Sequence, residues 1–155
     1  MPPPIPEREY FLTLLDEAYD KQAWHGPNLR GSLRGVNASL AAWRPQAARH
    51  NIWELAVHAA SWKYAVRRRL TGEKKGSFPL EGSNFILRPQ QETEEAWKED
   101  LALLASQHRL LRETVLKLPP VAFTPKAARM IRGAAMHDVY HAGQISLLKR
   151  LAPAD

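Results

Sequence analysis

The chain contains no cysteine. That absence excludes disulfides, thiolate-bound zinc and any cysteine nucleophile. It is compatible with a reducing compartment without establishing one. No apolar run approaches the roughly 20 residues of a membrane span. The opening MPPPIPEREY has no apolar region of the signal-peptide kind. A soluble, cytoplasmic protein with no membrane partner is therefore expected. Alternating strand patterns are missing too, as are helix-turn-helix, zinc-finger and RNA-binding signatures. The formal charge of +6 and pI near 9.8 would suit a nucleic acid. The best local support is Arg67-Arg68-Arg69 followed by Lys74-Lys75. That run falls at the end of an expected helix, where cations complement the dipole, so nucleic acid is not an expected partner.

What is present reads as helices. At 155 residues, one domain over 1–155 can bury a core without cross-links. A first helix is expected from near Pro6, with Phe11, Leu14, Leu15 and Ala18 on one face. It must stop by Gly26-Pro27, which puts Trp24-His25 at its C-terminal end. Residues 28–45 are interrupted by Gly31, Gly35 and Asn37 and predict one or two short helices. Asn51 can cap a second long helix, and Glu54 can complete a capping box. The apolar stripe of that helix is Ile52, Leu55, Ala59, Trp62, Val66 and Leu70, with His58 on its edge. Residues 73–90 have no clear period. They are read as a functional loop or a link between distant ends. A third long helix follows, with Trp97, Leu101, Leu104, His108, Leu111, Val115 and Leu118 at steps of four and three. Pro119-Pro120 closes it, and the last helix starts between Pro125 and Met130.

The last helix carries the densest chemistry. In GAAMHDVYHAGQISLLKRL (133–151) and the turn before it, at about 100° per residue, His141 shares a face with Ile131, Ala134, Ile145 and Leu148. His137 lies on its edge, one turn away. Two imidazoles so placed can meet one ion, although such rings are also met as hydrogen-bonded core residues. Asp138 stands where H-E-x-x-H zinc proteases carry their glutamate, but only Asp155 lies downstream as a ligand. A third ligand must come from earlier in the chain. His58 suits that role, and Glu54 is better used as a cap. Sharing an ion would make the second and fourth long helices parallel neighbours. Trp24 and His25 would then stand at the mouth of the site, with His108, read as a core histidine, within approach.

Several segments resemble the DinB-like family of metal-dependent, thiol-dependent enzymes. They are Trp24-His25-Gly26-Pro27-Asn28-Leu29, His50 through Leu55 with His58, Trp97, and Gly133 with Met136 through Ile145. The resemblance implies an all-α four-helix bundle of spatial helix order 1-4-2-3, with short extra helices between helices 1 and 2. It implies a divalent metal, zinc or nickel, on His58, His137 and His141. It also implies an S-transferase or hydrolase-like activity on a small-molecule substrate, with a low-molecular-weight thiol as cosubstrate. Three neutral imidazoles leave an open position on such an ion, which lowers the pKa of a bound thiol or water. The pocket candidates beside the triad are His25, Asp138 and Gln144. Asp138 would orient an imidazole or pair with an arginine, and Gln144 would face the pocket or bond between helices. The alternative to an enzyme is a non-catalytic metal-binding or interaction module. A homodimer is compatible with either.

Overall fold

A computed structural model describes residues 7–154; Pro6 and Asp155 lie outside the described residues. Four longer helices form the body: α1 (Glu7–Tyr19), α4 (Ile52–Thr71), α5 (Glu94–Lys117) and α6 (Pro125–Leu151). Two short helices, α2 (Leu29–Ser32) and α3 (Ala38–Ala42), lie between α1 and α4, and a single 3-10 turn (Pro120–Ala122) precedes α6. Among the described residues there is no strand, and no helix is long and apolar enough to cross a membrane.

The helix starts follow local chemistry. Asn28, Asn37, Asn51, Thr93 and Thr124 each accept a backbone N–H of the following turn. Such caps satisfy donors that would otherwise be orphaned. Asn51 and Glu54 form the full capping box. α1 ends at Tyr19, earlier than expected, with the N–H groups of Asp20 and Lys21 both turned onto the Asp16 carbonyl. Trp24 and His25 therefore sit in an exposed connection, not on a helix end.

Two apolar clusters fill the body. One joins Ile52, Trp53, Ala56 and Ala59 to Trp97, Leu104, Ile145 and Leu148. The other joins Phe11 and Leu15 to Val66, Leu111, Val115, Ile131 and Ala134. α1 packs on α6 and α5, and α4 packs on α5 and α6.

The helix directions correct the expectation of parallel α4 and α6. Leu55 near the start of α4 lines a groove with Leu147 and Leu148 near the end of α6. Val66 and Arg69 near the end of α4 face Lys126 and Met130 near the start of α6. The two helices are antiparallel, and they can still share a site because His137 and His141 lie mid-helix. α4 and α5 run in the same direction instead. Trp53 meets Trp97 and Asp100, and ten residues on, Lys63 meets His108. A chain leaving α4 at Thr71 must then return along the bundle to begin α5. Residues 72–93 make that return, which is why they are long. Their far end is pinned where Arg88 Nε donates to Asp100 Oδ2 at 2.7 Å, beside the Trp53 indole, which donates to the same oxygen at 2.6 Å.

Candidate metal centre

The return loop makes the site. As it passes the second turn of α4, the Asn84 carbonyl accepts from His58 Nδ1 at 2.6 Å. Asn84 is left-handed, with φ of 55°, a conformation that asparagine tolerates better than most residues. The next residue, Phe85, lies between two imidazoles, stacked on His58 at 3.9 Å and on His50 at 3.6 Å between ring centroids. His58 is thereby fixed in orientation and almost fully buried.

Across the groove, α6 presents His137 and His141 one turn apart. His137 Nε2 lies 3.0 Å from His58 Nε2, and His141 Nε2 lies 2.9 Å from His137 Nε2. Gln144, on the same helix, accepts from His141 Nδ1 at 2.6 Å. These outer contacts decide the tautomers. A carbonyl can only accept, so His58 carries its proton on Nδ1 and turns a lone pair inward; His141 does the same against the Gln144 oxygen. His137 holds at most one inward proton, which can serve only one of its two neighbours. Three facing nitrogens thus share lone pairs in excess of protons.

Protonation does not relieve the cluster. Burial holds His137 down to about 3, with repulsion from His141, His58 and Lys63 added. Burial also takes His141 down to about 4, against the favourable Gln144 contact. His58 is lowered by burial too, partly offset by the Asn84 carbonyl. The rings are therefore neutral near pH 7, the form that binds metals. Two imidazole nitrogens at about 2.1 Å from one ion are about 3.0 Å apart at a right angle and about 3.4 Å apart at a tetrahedral angle. The observed 2.9 and 3.0 Å match the right-angle value. The three residues form a group that could hold a metal.

The imidazoles open onto a cavity of about 1180 Å³ between α4, α6 and the return loop. Its apolar wall includes Trp62, Val66, Phe85, Met130 and Ala134, with Tyr140 and Gln144 alongside. A second cavity of about 910 Å³ lies between residues 19–34 and α5, and no imidazole lines it.

The other expected residues divide cleanly. Gln144 lines the metal-side cavity and holds His141. Asp138 is fully buried and turned away from the cavity, onto the Lys63 ammonium. Its partner is a lysine, not an arginine. His25 is exposed on the connection after α1 and is not among the cavity-lining residues. The expectation of a rim histidine fails because it assumed that α1 continued to Trp24 and that the ends of α1 and α5 met at one mouth. Glu54 binds Arg44 and His50 as well as completing the cap, so it does not face the imidazole cluster. Trp53 and Trp97 are buried core, whereas Trp62 is half-exposed in the cavity wall.

Asn84, Phe85 and Lys63 were not singled out from the sequence. Lys63 left a signal: it occupies the buried stripe of α4 one turn after Ala59, as Asp138 occupies that of α6 one turn after Ala134. Opposite charges on the apolar faces of two neighbouring helices point to a buried pair. Asn84 and Phe85 left none, because loop residues have no period.

His108 is a core histidine, stacked on Tyr19 at 3.8 Å and held down to about 3 by burial and by Lys63. Its ligand atoms also approach Asp16 and Asp20. That grouping suits a cation poorly. Lys63 Nζ stands 3.3 Å from His108 Nδ1, and an ammonium can only donate. The proton is left on Nε2, the atom that would have to be the ligand. Arg112 moreover occupies both Asp16 oxygens, at 2.6 and 2.9 Å.

The fold and the site define a class: an all-helical protein with three converging neutral imidazoles at the floor of an apolar cavity. Within that class the chain belongs to the DinB superfamily, whose family model matches residues 21–145. No curated protein and no solved structure matches the chain.

Proposed function

We propose that the protein is a metalloenzyme in which His58, His137 and His141 hold one divalent ion, zinc or nickel. It would use a low-molecular-weight thiol for S-transfer, or a water for hydrolysis, on a small-molecule substrate. The observation that carries this reading is the set of inward lone pairs, forced by Asn84 and Gln144, of which a single His137 proton can satisfy only one. A bound ion supplies Lewis acidity, lowering the pKa of a thiol or water at its open position. This chain supplies the rest. The Asn84 carbonyl and the Gln144 amide hold two rings in their metal-binding tautomers. Trp62, Phe85 and Met130 exclude water from the reacting end. Any thiol must come from outside, since the chain has none.

The same reading takes the chain as one cytoplasmic domain of helix order 1-4-2-3. The packing of α1 on α6, α6 on α4 and α4 on α5 supports that order. The test is metal analysis of untagged protein and of His58→Ala, His137→Ala and His141→Ala, followed by a transfer assay with and without added thiol. Each variant should lose most of its bound metal while keeping helical content, because apolar burial supplies most of the stability. Activity should require the thiol. Full metal in all three variants would sink the triad, and equal activity without thiol would move the chemistry to water. Stoichiometric metal with no turnover would favour the non-catalytic module.

A further inference from the structure

The triad accounts for one end of the large cavity, while the other end is cationic. Arg69 in the last turn of α4 and Lys126 and Arg129 at the start of α6 line it, and no carboxylate does. The basic run that includes Arg69 is divided by the fold. Arg67 Nη1 donates to Glu73 Oε2 at 2.6 Å, and Arg68 donates to the Glu73 carbonyl at 3.3 Å. Arg69 is left over the Trp62 ring at 5.7 Å, facing the cavity. Among the described residues none of the three cations enters an ion pair.

Their placement also runs against helix electrostatics. α1, α4 and α5 carry glutamates in the first turn, where the dipole favours them; α6 carries none. Lys126 and Arg129 instead put positive charge at the positive end of α6. At about 1.5 Å per residue, Arg129 lies about 12 Å along α6 from His137. On the same rise, Arg69 lies about 16 Å along α4 from His58. Because α4 and α6 are antiparallel, both sets of cations reach the same end of the cavity.

We propose that this cavity takes an amphiphilic anion: a reacting group at the imidazoles, an apolar body along Trp62 and Met130, and a carboxylate or phosphate held by Arg69, Lys126 and Arg129. This rests on reading the cavity as the substrate site and names the class of molecule it selects. A guanidinium grips either anion by paired N–H donors, while Lys126 adds a mobile charge. Low-dielectric walls concentrate that field.

The test uses four probes with one apolar body: phenylhexanoate, phenylhexyl phosphate, phenylhexanol and phenylhexylamine. Binding to the full chain is measured by calorimetry at low salt, with metal uptake assayed on the same samples. At least one anion should bind about tenfold or more tighter than the alcohol, and the amine weakest. Carboxylate or phosphate preference then identifies the headgroup. Arg69→Gln, Lys126→Gln and Arg129→Gln together should bring the anion to the level of the alcohol without changing metal uptake. Arg69→Glu with Arg129→Glu should reverse the preference to the amine. Equal binding of all four probes, no binding of any, or an anion preference unmoved by the variants would overturn the proposal. An anion preference in protein that takes up no metal would leave it standing and remove the metal reading alone.

Discussion

Lys63→Met offers a sharp test of how the two site-bearing helices are joined. Lys63 and Asp138 meet with side chains only 1% exposed on each partner. Removing the lysine leaves the Asp138 carboxylate in a site with no solvent and no cation. Breaking a buried pair from one side costs about 3–5 kcal/mol. In a chain of this size about 1 kcal/mol moves Tm by 2–4 °C, so a fall of about 6–20 °C is expected. Asp138→Leu should cost less, because Lys63 can still donate to His108 Nδ1. Replacing both, Lys63→Met with Asp138→Leu, removes both charges and should return stability to within about 1–2 kcal/mol of the parent. Urea unfolding at pH 7 with a common m-value gives the three differences. The deficit of Lys63→Met should also shrink with acid. Burial already pushes the Asp138 carboxyl up, with Lys63 pulling it back. Without the lysine it rises further above its unfolded value. The folded variant therefore takes up the proton first, and its penalty is relieved as pH falls through that raised value. Single variants within about 1 kcal/mol of the parent, or a double variant as unstable as the sum of the singles, would refute the reasoning.

Gln144→Leu removes the acceptor that sets the His141 tautomer and should weaken metal binding about 10–100-fold against a competing chelator; unchanged affinity would take Gln144 out of the site. In metal-free protein, His108 and His137 near 3 and His141 near 4 all titrate below their unfolded value. Between those values the unfolded chain binds more protons, so their contribution is complete above about pH 6.5 and is lost as pH falls toward 3–4. A Tm that stays flat through that window would contradict the burial of these rings. Affinity for duplex DNA should be weak and vanish at physiological salt, as a solvated basic face implies; sequence-selective binding that survives such salt would reopen the nucleic-acid reading.

The sequence by itself determined the helices, their caps and most of their buried faces. Asn51 with Glu54 marks the start of α4, Pro119-Pro120 closes α5, and the spacing of His137 and His141 puts two rings on one face. These are local properties, set by rise, period and the hydrogen-bonding needs of helix ends. Which helices run parallel was decided only by the tertiary structure, because an apolar stripe is buried equally well in either direction. The parallel pairing of α4 with α5 sends residues 72–93 back along the bundle and brings the Asn84 carbonyl to His58 and Phe85 between His50 and His58. The end of α1 at Tyr19 likewise leaves His25 on an exposed connection, and the packing of α4 on α6 turns Asp138 onto Lys63. A period specifies which side of a helix is covered; what covers it, and which loop crosses it, depends on packing among segments far apart in the chain.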